Sequence, residues 1–164
     1  MRIAITGHRG LPAATERLVD RAIRDQLAEI DRSDLVGVSC LADGADQLFA
    51  RAVLDAGGTL EVVVPAKQYR DGLPADAHAS YDELIANAAT VRRLGRIEST
   101  SEAHMEASKT MLDSAGRLFA VWDGQAARGY GGTADIVQVA RDRGLPITRI
   151  WPTGARRDEP AQAL

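Results

Sequence analysis

The chain has one cysteine, two lysines and no apolar run long enough to cross a bilayer, and each shortage excludes something. Cys40 stands alone and cannot form an internal disulfide. The longest apolar stretches, Leu60 to Pro65 and Leu118 to Trp122, have the length of a strand rather than the ~18–20 residues of a membrane helix. Met1-Arg2-Ile3 offers neither a basic leader nor an apolar segment behind it, so a cytoplasmic protein is expected. A formal charge of −3 and a pI near 5.6 weigh against non-specific nucleic-acid binding, and neither nucleic acid nor membrane is an expected partner. The chain lacks a metal-ligand motif: Glu102, His104 and Glu106 alternate, a spacing that a helix scatters over different faces. It also lacks the G-x-G-x-x-G of dinucleotide-binding folds and the G-x-S-x-G of serine hydrolases, so Ser39 beside His8 does not make a hydrolase. No cofactor is expected.

What is present describes one soluble domain. The 164 residues are 45% hydrophobic and 26% charged, and a chain of this length buries roughly 70% of its unfolded surface without a staple. Short β-rich runs alternate with amphipathic stretches: Arg2 to Thr6, a helix from Thr15 to about Ile30, Leu35 to Ser39, a helix ending at Gly57-Gly58, and Leu60 to Pro65. Residues 66–79 read as the longest irregular connection. Ser80-x-x-Glu83 then opens a third helix, Val91 to Ile97 a short polar strand, and Ser99-x-x-Glu102 a helix to about Ala115. Leu118 to Trp122 is a buried strand; a glycine-rich loop, a helix capped by Thr133 and a last strand from Ile147 to Trp151 follow. This order predicts an α/β, Rossmann-like fold: an open, mostly parallel sheet with helices on both faces. Residues 1–152 form the expected domain and residues 153–164 a flexible tail.

In such sheets ligands bind beyond the carboxyl ends of the strands, which selects four loops. Gly7-His8-Arg9-Gly10 follows the first strand and presents a cationic pair suited to an anion. Asp43-Gly44-Ala45-Asp46 follows the second; Gly44 at a helix start would aim free N–H groups at a phosphate, while the two acids also suit an N-cap and a first helical turn. The richest loop runs from Asp123-Gly124 to Gly131-Gly132-Thr133-Ala134-Asp135, where glycines allow close backbone approach and Thr133 brings a hydroxyl to a helix N-terminus. Asp135, in the first turn, suits a dipole partner as well as a reacting group. Lys67 to Ala77 is the fourth, a candidate lid in which Tyr69 would stack on a base and Arg70 would hold a phosphate, or else a solvated loop.

Gly7-His8-Arg9, Ala42-Asp43-Gly44-Ala45-Asp46 and Ala120-Val121-Trp122-Asp123-Gly124 leading to Gly131-Gly132-Thr133-Ala134-Asp135 together resemble the SLOG superfamily of Rossmann-like nucleotide-binding domains. That superfamily includes the Lonely Guy phosphoribohydrolases and the DprA/Smf DNA-processing proteins, with nucleoside deoxyribosyltransferases as structural cousins. The resemblance covers residues 1 to about 152 and implies a nucleotide or nucleotide-derived ligand, phosphate at the glycine loops and a homodimer. Matching the Gly-Thr-x-Glu of Lonely Guy enzymes to Thr133 puts Asp135 at the glutamate; the deoxyribosyltransferase pattern puts Ile136 there. The Arg-Lys pair of Lonely Guy enzymes falls on Ala107 and Ser108, with Lys109 next, leaving Arg9 or Arg128 as substitutes.

Two functions are therefore expected in competition. In the first, the domain senses or carries a nucleoside phosphate, held by Gly7, His8, Arg9, Gly44, Ala45, Asp46, Asp123, Gly124, Gly131, Gly132 and Thr133. In the second it hydrolyses the N-glycosidic bond of a nucleoside monophosphate, with Asp135 at the anomeric carbon and His8 or Asp43 positioning ribose or water.

Overall fold

A computed structural model describes residues 1–158. Six strands form one parallel sheet in the order β4-β3-β2-β1-β5-β6. They are β1 (Arg2–Gly7), β2 (Val36–Ser39), β3 (Thr59–Ala66), β4 (Thr90–Arg96), β5 (Arg117–Val121) and β6 (Ile147–Ile150). Five α-helices make the crossovers: α1 (Ala13–Ala28), α2 (Ala45–Asp55), α3 (His78–Ala86), α4 (Ser101–Asp113) and α5 (Thr133–Asp142). Right-handed crossovers carry the chain outward from β1 to β4 with α1, α2 and α3 on one face; α4 then returns it to β5, so α4 and α5 cover the other. The expected α/β, Rossmann-like sheet with helices on both faces is what the chain forms.

Strand alternation divides the core. Ile3 and Ile5 of β1, with Phe119 and Val121 of β5, meet Val19, Ile23, Phe49 and Val53 on the α1–α2 face. Ala4, Val38, Val63 and Leu118 meet Met111, Ile136 and Ala140 on the other. Phe49 and Phe119 touch edge to face, ring centroids 5.9 Å apart.

Helix starts differ from expectation where backbone chemistry overrides a capping residue. Helix α1 begins at Ala13 behind Pro12, whose fixed φ suits a helix entry, and Thr15 lies inside. Helix α3 begins at His78, ahead of Ser80, because two single-turn 3₁₀ segments at Arg70–Gly72 and Ala75–Ala77 lead the chain directly into it. Gly132 rather than Thr133 is the N-cap of α5. Helix α4 is capped by Thr100, whose Oγ1 accepts the Ala103 N–H at 3.1 Å. Residues 153–158 run back across the carboxyl edge: the Arg156 N–H donates to Thr15 Oγ1 at 2.9 Å and the Arg128 guanidinium to the Asp158 carbonyl at 2.9 Å. Residues 159–164 of the expected tail lie outside the described residues. No helix among the described residues is long and apolar enough to cross a membrane.

Candidate functional site

The strand order reverses between β1 and β5, which leave the sheet in opposite directions and open a crevice beyond their carboxyl ends. A cavity of about 220 Å³ occupies it. Its floor is the end of β1, Thr6 to Arg9, and its far wall the start of α5 with the loop from Gln125 to Gly129. The inner end is formed by Cys40, Tyr69, His104 and Met111; Asp46 reaches it from α2 and Arg157 from the C-terminal segment.

His8 organises the floor. It is 4% exposed and meets Trp151 edge to face at 5.4 Å. The Asp123 N–H donates to its Nε2 at 3.0 Å, which places the ring proton on Nδ1, facing Thr133 Oγ1 at 3.3 Å. Burial, reinforced by the charge of Arg157 and opposed by Asp123, lowers the His8 pKa to about 4, so the ring is neutral at physiological pH. Since Oγ1 of Thr133 takes the His8 proton, the hydroxyl is left to donate into the cavity.

The start of α5 presents open N–H groups to the cavity. The Gly132 N–H is used by Gly129 and the Gly131 N–H by Asp135, but among the described residues no acceptor takes the N–H of Thr133 or Ala134. Both residues line the cavity, at the positive end of a ten-residue helix. Arg9, Arg128 and Arg157 surround the same space. Arg9 is anchored by Asp43, Nε to Oδ1 2.7 Å. Arg157 approaches Asp123 only to 3.9 Å; burial and the neighbouring Arg128 lower its pKa, the signature of cations crowded without a full counter-charge.

The same cavity is lined by a buried carboxyl. Asp46 is 8% exposed; its Oδ2 accepts the Ala42 N–H at 3.2 Å. Desolvation raises its pKa to about 7, opposed by the Ala42 hydrogen bond and Arg9. Nearby, Tyr69 and His104 meet edge to face at 5.5 Å, with His104 Nε2 held 2.8 Å from Ser99 Oγ. Among the described residues no three His, Cys, Asp or Glu side chains group as metal ligands.

Comparison with solved structures finds this architecture elsewhere. DNA processing protein A from Streptococcus pneumoniae superposes with a TM-score of 0.69 at 18% identity, over 93% of this chain and 51% of that one. The Helicobacter pylori protein of the same name, studied for its single-stranded DNA binding mode, gives 0.68 at 15% identity, over 96% and 68%. The Moco carrier protein of Chlamydomonas reinhardtii gives 0.57 at 18%, over 91% and 75%. The chain shares its fold with these proteins. At these identities the likeness is one of fold, and the chain spans about half the length of the S. pneumoniae protein. No protein-family model and no curated protein sequence matches the chain.

Within this fold, the expected site residues separate into two groups. Gly7, His8, Arg9, Asp46, Gly131, Gly132 and Thr133 line the cavity; Asp43, Gly44, Ala45, Asp123, Gly124 and Asp135 stand behind it. Gly44 has φ +84°, and a Cβ there would lie 2.7 Å from the His8 carbonyl, so this glycine serves close approach of α2 to β1. The Ala45 N–H is spent on that same carbonyl at 3.3 Å. Gly124 sits against the Arg149 guanidinium, and Asp123 faces His8 and the Gln125 N–H. Asp135 turns back to accept the Gly131 N–H at 2.9 Å, pinning the glycine loop. Of the candidate lid, Tyr69 is buried in the cavity wall whereas Arg70 pairs with Asp82 at 2.7 Å, away from it. Sequence reasoning did not find Arg157, Cys40 or Met111, and set His104 aside; no spacing signal links these to the glycine loops.

Proposed function

We propose that the cavity binds a nucleotide or nucleotide-derived metabolite, its phosphate at the start of α5 and its base between Tyr69, His104 and Asp46. The single observation that carries this reading is the convergence of the open Thr133 and Ala134 N–H groups with Arg9, Arg128 and Arg157 on one cavity. Oriented amides and guanidinium groups favour phosphate oxygens, while the apolar inner end suits a flat heterocycle. The homodimer implied by the SLOG resemblance and the expected cytoplasmic location belong to this proposal; sedimentation of the purified chain tests the former.

The test is thermal stabilisation of the purified protein by nucleoside mono-, di- and triphosphates, ADP-ribose and ribose 5-phosphate, with unphosphorylated nucleosides and a single-stranded oligonucleotide alongside. Stabilisation by the phosphorylated compounds alone is expected. Equal stabilisation by bare nucleosides, or none by any phosphate, overturns the assignment.

A second reading, hydrolysis of a nucleoside monophosphate at its N-glycosidic bond, draws support from one feature: an acid with a pKa of about 7 on the cavity wall, suited to protonating a leaving base at neutral pH. In that reading Asp46 takes the place expected of Asp135. Chromatography of the same samples for free base tests it, and absence of base release with every monophosphate rejects it.

A further inference from the structure

Asp46 is a buried carboxyl with no cation of its own. Among the described residues it joins no ion pair, because the nearby Arg9 is taken by Asp43 at 2.7 Å. Its Oδ2 holds the Ala42 N–H, which a left-handed turn at Leu41 (φ 58°) brings into position. Among the described residues its Oδ1 has no protein partner, and since none of their buried side-chain oxygens is left unpaired, Oδ1 opens onto the cavity that the residue lines. One oxygen is therefore spent on the fold and the other is offered to whatever fills the inner end. An unpaired carboxylate in such a place is costly; the neutral acid, with an O–H donor, is not.

We propose that Asp46 reads the ligand's heterocycle as a neutral carboxylic acid, Oδ1–H donating to a ring nitrogen while Oδ2 stays on the Ala42 N–H. The inference rests on the nucleotide reading and deepens it: the ligand class is a nucleotide whose base carries a ring nitrogen with a free lone pair, and recognition takes up a proton. A ring N–H at that position is a poor match, because two donors would face each other.

The other titratable groups around the cavity do not produce the same pH response. Cys40 and Tyr69 are buried and held neutral well above their ordinary ranges, and His8 stays neutral down to about pH 4. The pKa of His104 is lowered, by burial first and Arg9 second. Asp43 is paired with Arg9 at 2.7 Å, and among the described residues the remaining charged groups that face the cavity are the guanidinium groups of Arg9, Arg128 and Arg157. The ligand's own phosphate, with a second pKa of about 6, favours binding at higher pH, the opposite sign.

Calorimetric titration with adenosine 5′-monophosphate, using ribose 5-phosphate as the probe without a base, separates the inference from the reading beneath it. If only the protonated acid binds the base, the affinity ratio of the two probes falls on the order of tenfold between pH 6 and pH 8. In Asp46→Asn, whose amide keeps an acceptor for Ala42 and a donor for the cavity, the ratio is expected to stay constant. Without any variant, titration at pH 8 in buffers of differing ionisation enthalpy should show uptake approaching one proton with the adenine nucleotide and none with the sugar phosphate. A constant ratio in the unaltered protein, a slope that survives in Asp46→Asn, or no proton uptake overturns the role of Asp46 and leaves phosphate binding standing. Failure of both probes to bind overturns the nucleotide reading and this inference with it.

Discussion

His8 and Thr133, 125 positions apart in the chain, face each other across the carboxyl ends of β1 and β5, Nδ1 to Oγ1 3.3 Å. The contact joins the floor of the cavity to the wall at the start of α5 and leaves the threonine hydroxyl proton to point into the cavity. Thr133→Val keeps the shape and removes the hydroxyl. Affinity for adenosine 5′-monophosphate is expected to fall on the order of tenfold, the usual worth of a hydrogen bond to a charged group. Titration calorimetry checks this, and unchanged affinity would remove Thr133 from the site.

Asp135 lies close behind that wall with its carboxylate on the Gly131 N–H at 2.9 Å. Asp135→Ala frees a loop whose glycines have little conformational preference of their own, and it also removes an acid from the first turn of α5. A loss of about 1–2 kcal/mol in stability is expected, with weaker phosphate binding as a consequence of the looser loop. Urea denaturation gives the first quantity. Should any monophosphate be hydrolysed, Asp135→Asn is expected to slow the reaction less than Asp46→Asn; the reverse order would return Asp135 to the catalytic role that its motif implied.

His8 and Asp46 give the stability two opposed pH dependences. The His8 pKa falls from 6.5 unfolded to about 4 folded, so its contribution is complete above pH 6.5 and is lost as pH falls through 4. The Asp46 pKa rises from 3.8 to about 7, so its contribution is complete below 3.8 and is lost as pH rises through 7. Between pH 4 and 6.5 the two slopes oppose each other. Asp46→Asn is expected to expose the histidine slope, a variant that gains stability on the order of 3 kcal/mol from pH 4 to 6.5. Denaturant midpoints measured across this range decide the matter, and a flat profile in the variant would mean that His8 is protonated in the fold.

Gly44→Ala tests the close approach of α2 to β1. The residue sits at φ +84°, and the added Cβ would meet the His8 carbonyl at 2.7 Å, a backbone atom that cannot swing aside. Strain and clash together are expected to cost at least about 2 kcal/mol. Gly57→Ala, also at positive φ (+81°) but with nothing within 4 Å, is the control for strain alone and should cost about 1 kcal/mol.

These cases show where the sequence was readable. Periodicity located the strands and helices to within a few residues, because Ile3, Ile5, Phe119 and Val121 must alternate between the two faces of any sheet they enter. The glycine loop and Thr133 were readable because few local needs explain successive glycines before a helix. Asp135 was not: an acid in a first turn can point at a ligand or back at the loop, and only the position of the Gly131 N–H decides. Gly44 misled for a related reason, since a positive φ serves packing against His8 as well as it serves a phosphate. Asp46 was seen as a candidate but its protonation was not, because that depends first on its burial in the fold and then on Asp43 taking Arg9. Arg157 left no trace, standing in a segment without apolar period that crosses back over the site.

That segment allows a sharp test of how far the functional unit extends. The core ends with Ile150 and Trp151; beyond them, residues 153–158 hold their place through Arg156 on Thr15 and Asp158 on Arg128. A chain ending at Pro152 is therefore expected to fold with nearly unchanged cooperativity. It loses Arg157, however, and with it one of three guanidinium groups around the cavity. Affinity for adenosine 5′-monophosphate is expected to drop on the order of tenfold, as for Arg157→Gln in the full chain, because a charge-assisted contact to phosphate is removed in both. If the shortened chain binds more weakly than Arg157→Gln, the backbone of residues 153–158 also holds Arg128 in place through the Asp158 carbonyl. If both bind as well as the full chain, the phosphate lies deeper, on α5 and Arg9 alone, and the guanidinium of Arg157 serves only to keep His8 neutral.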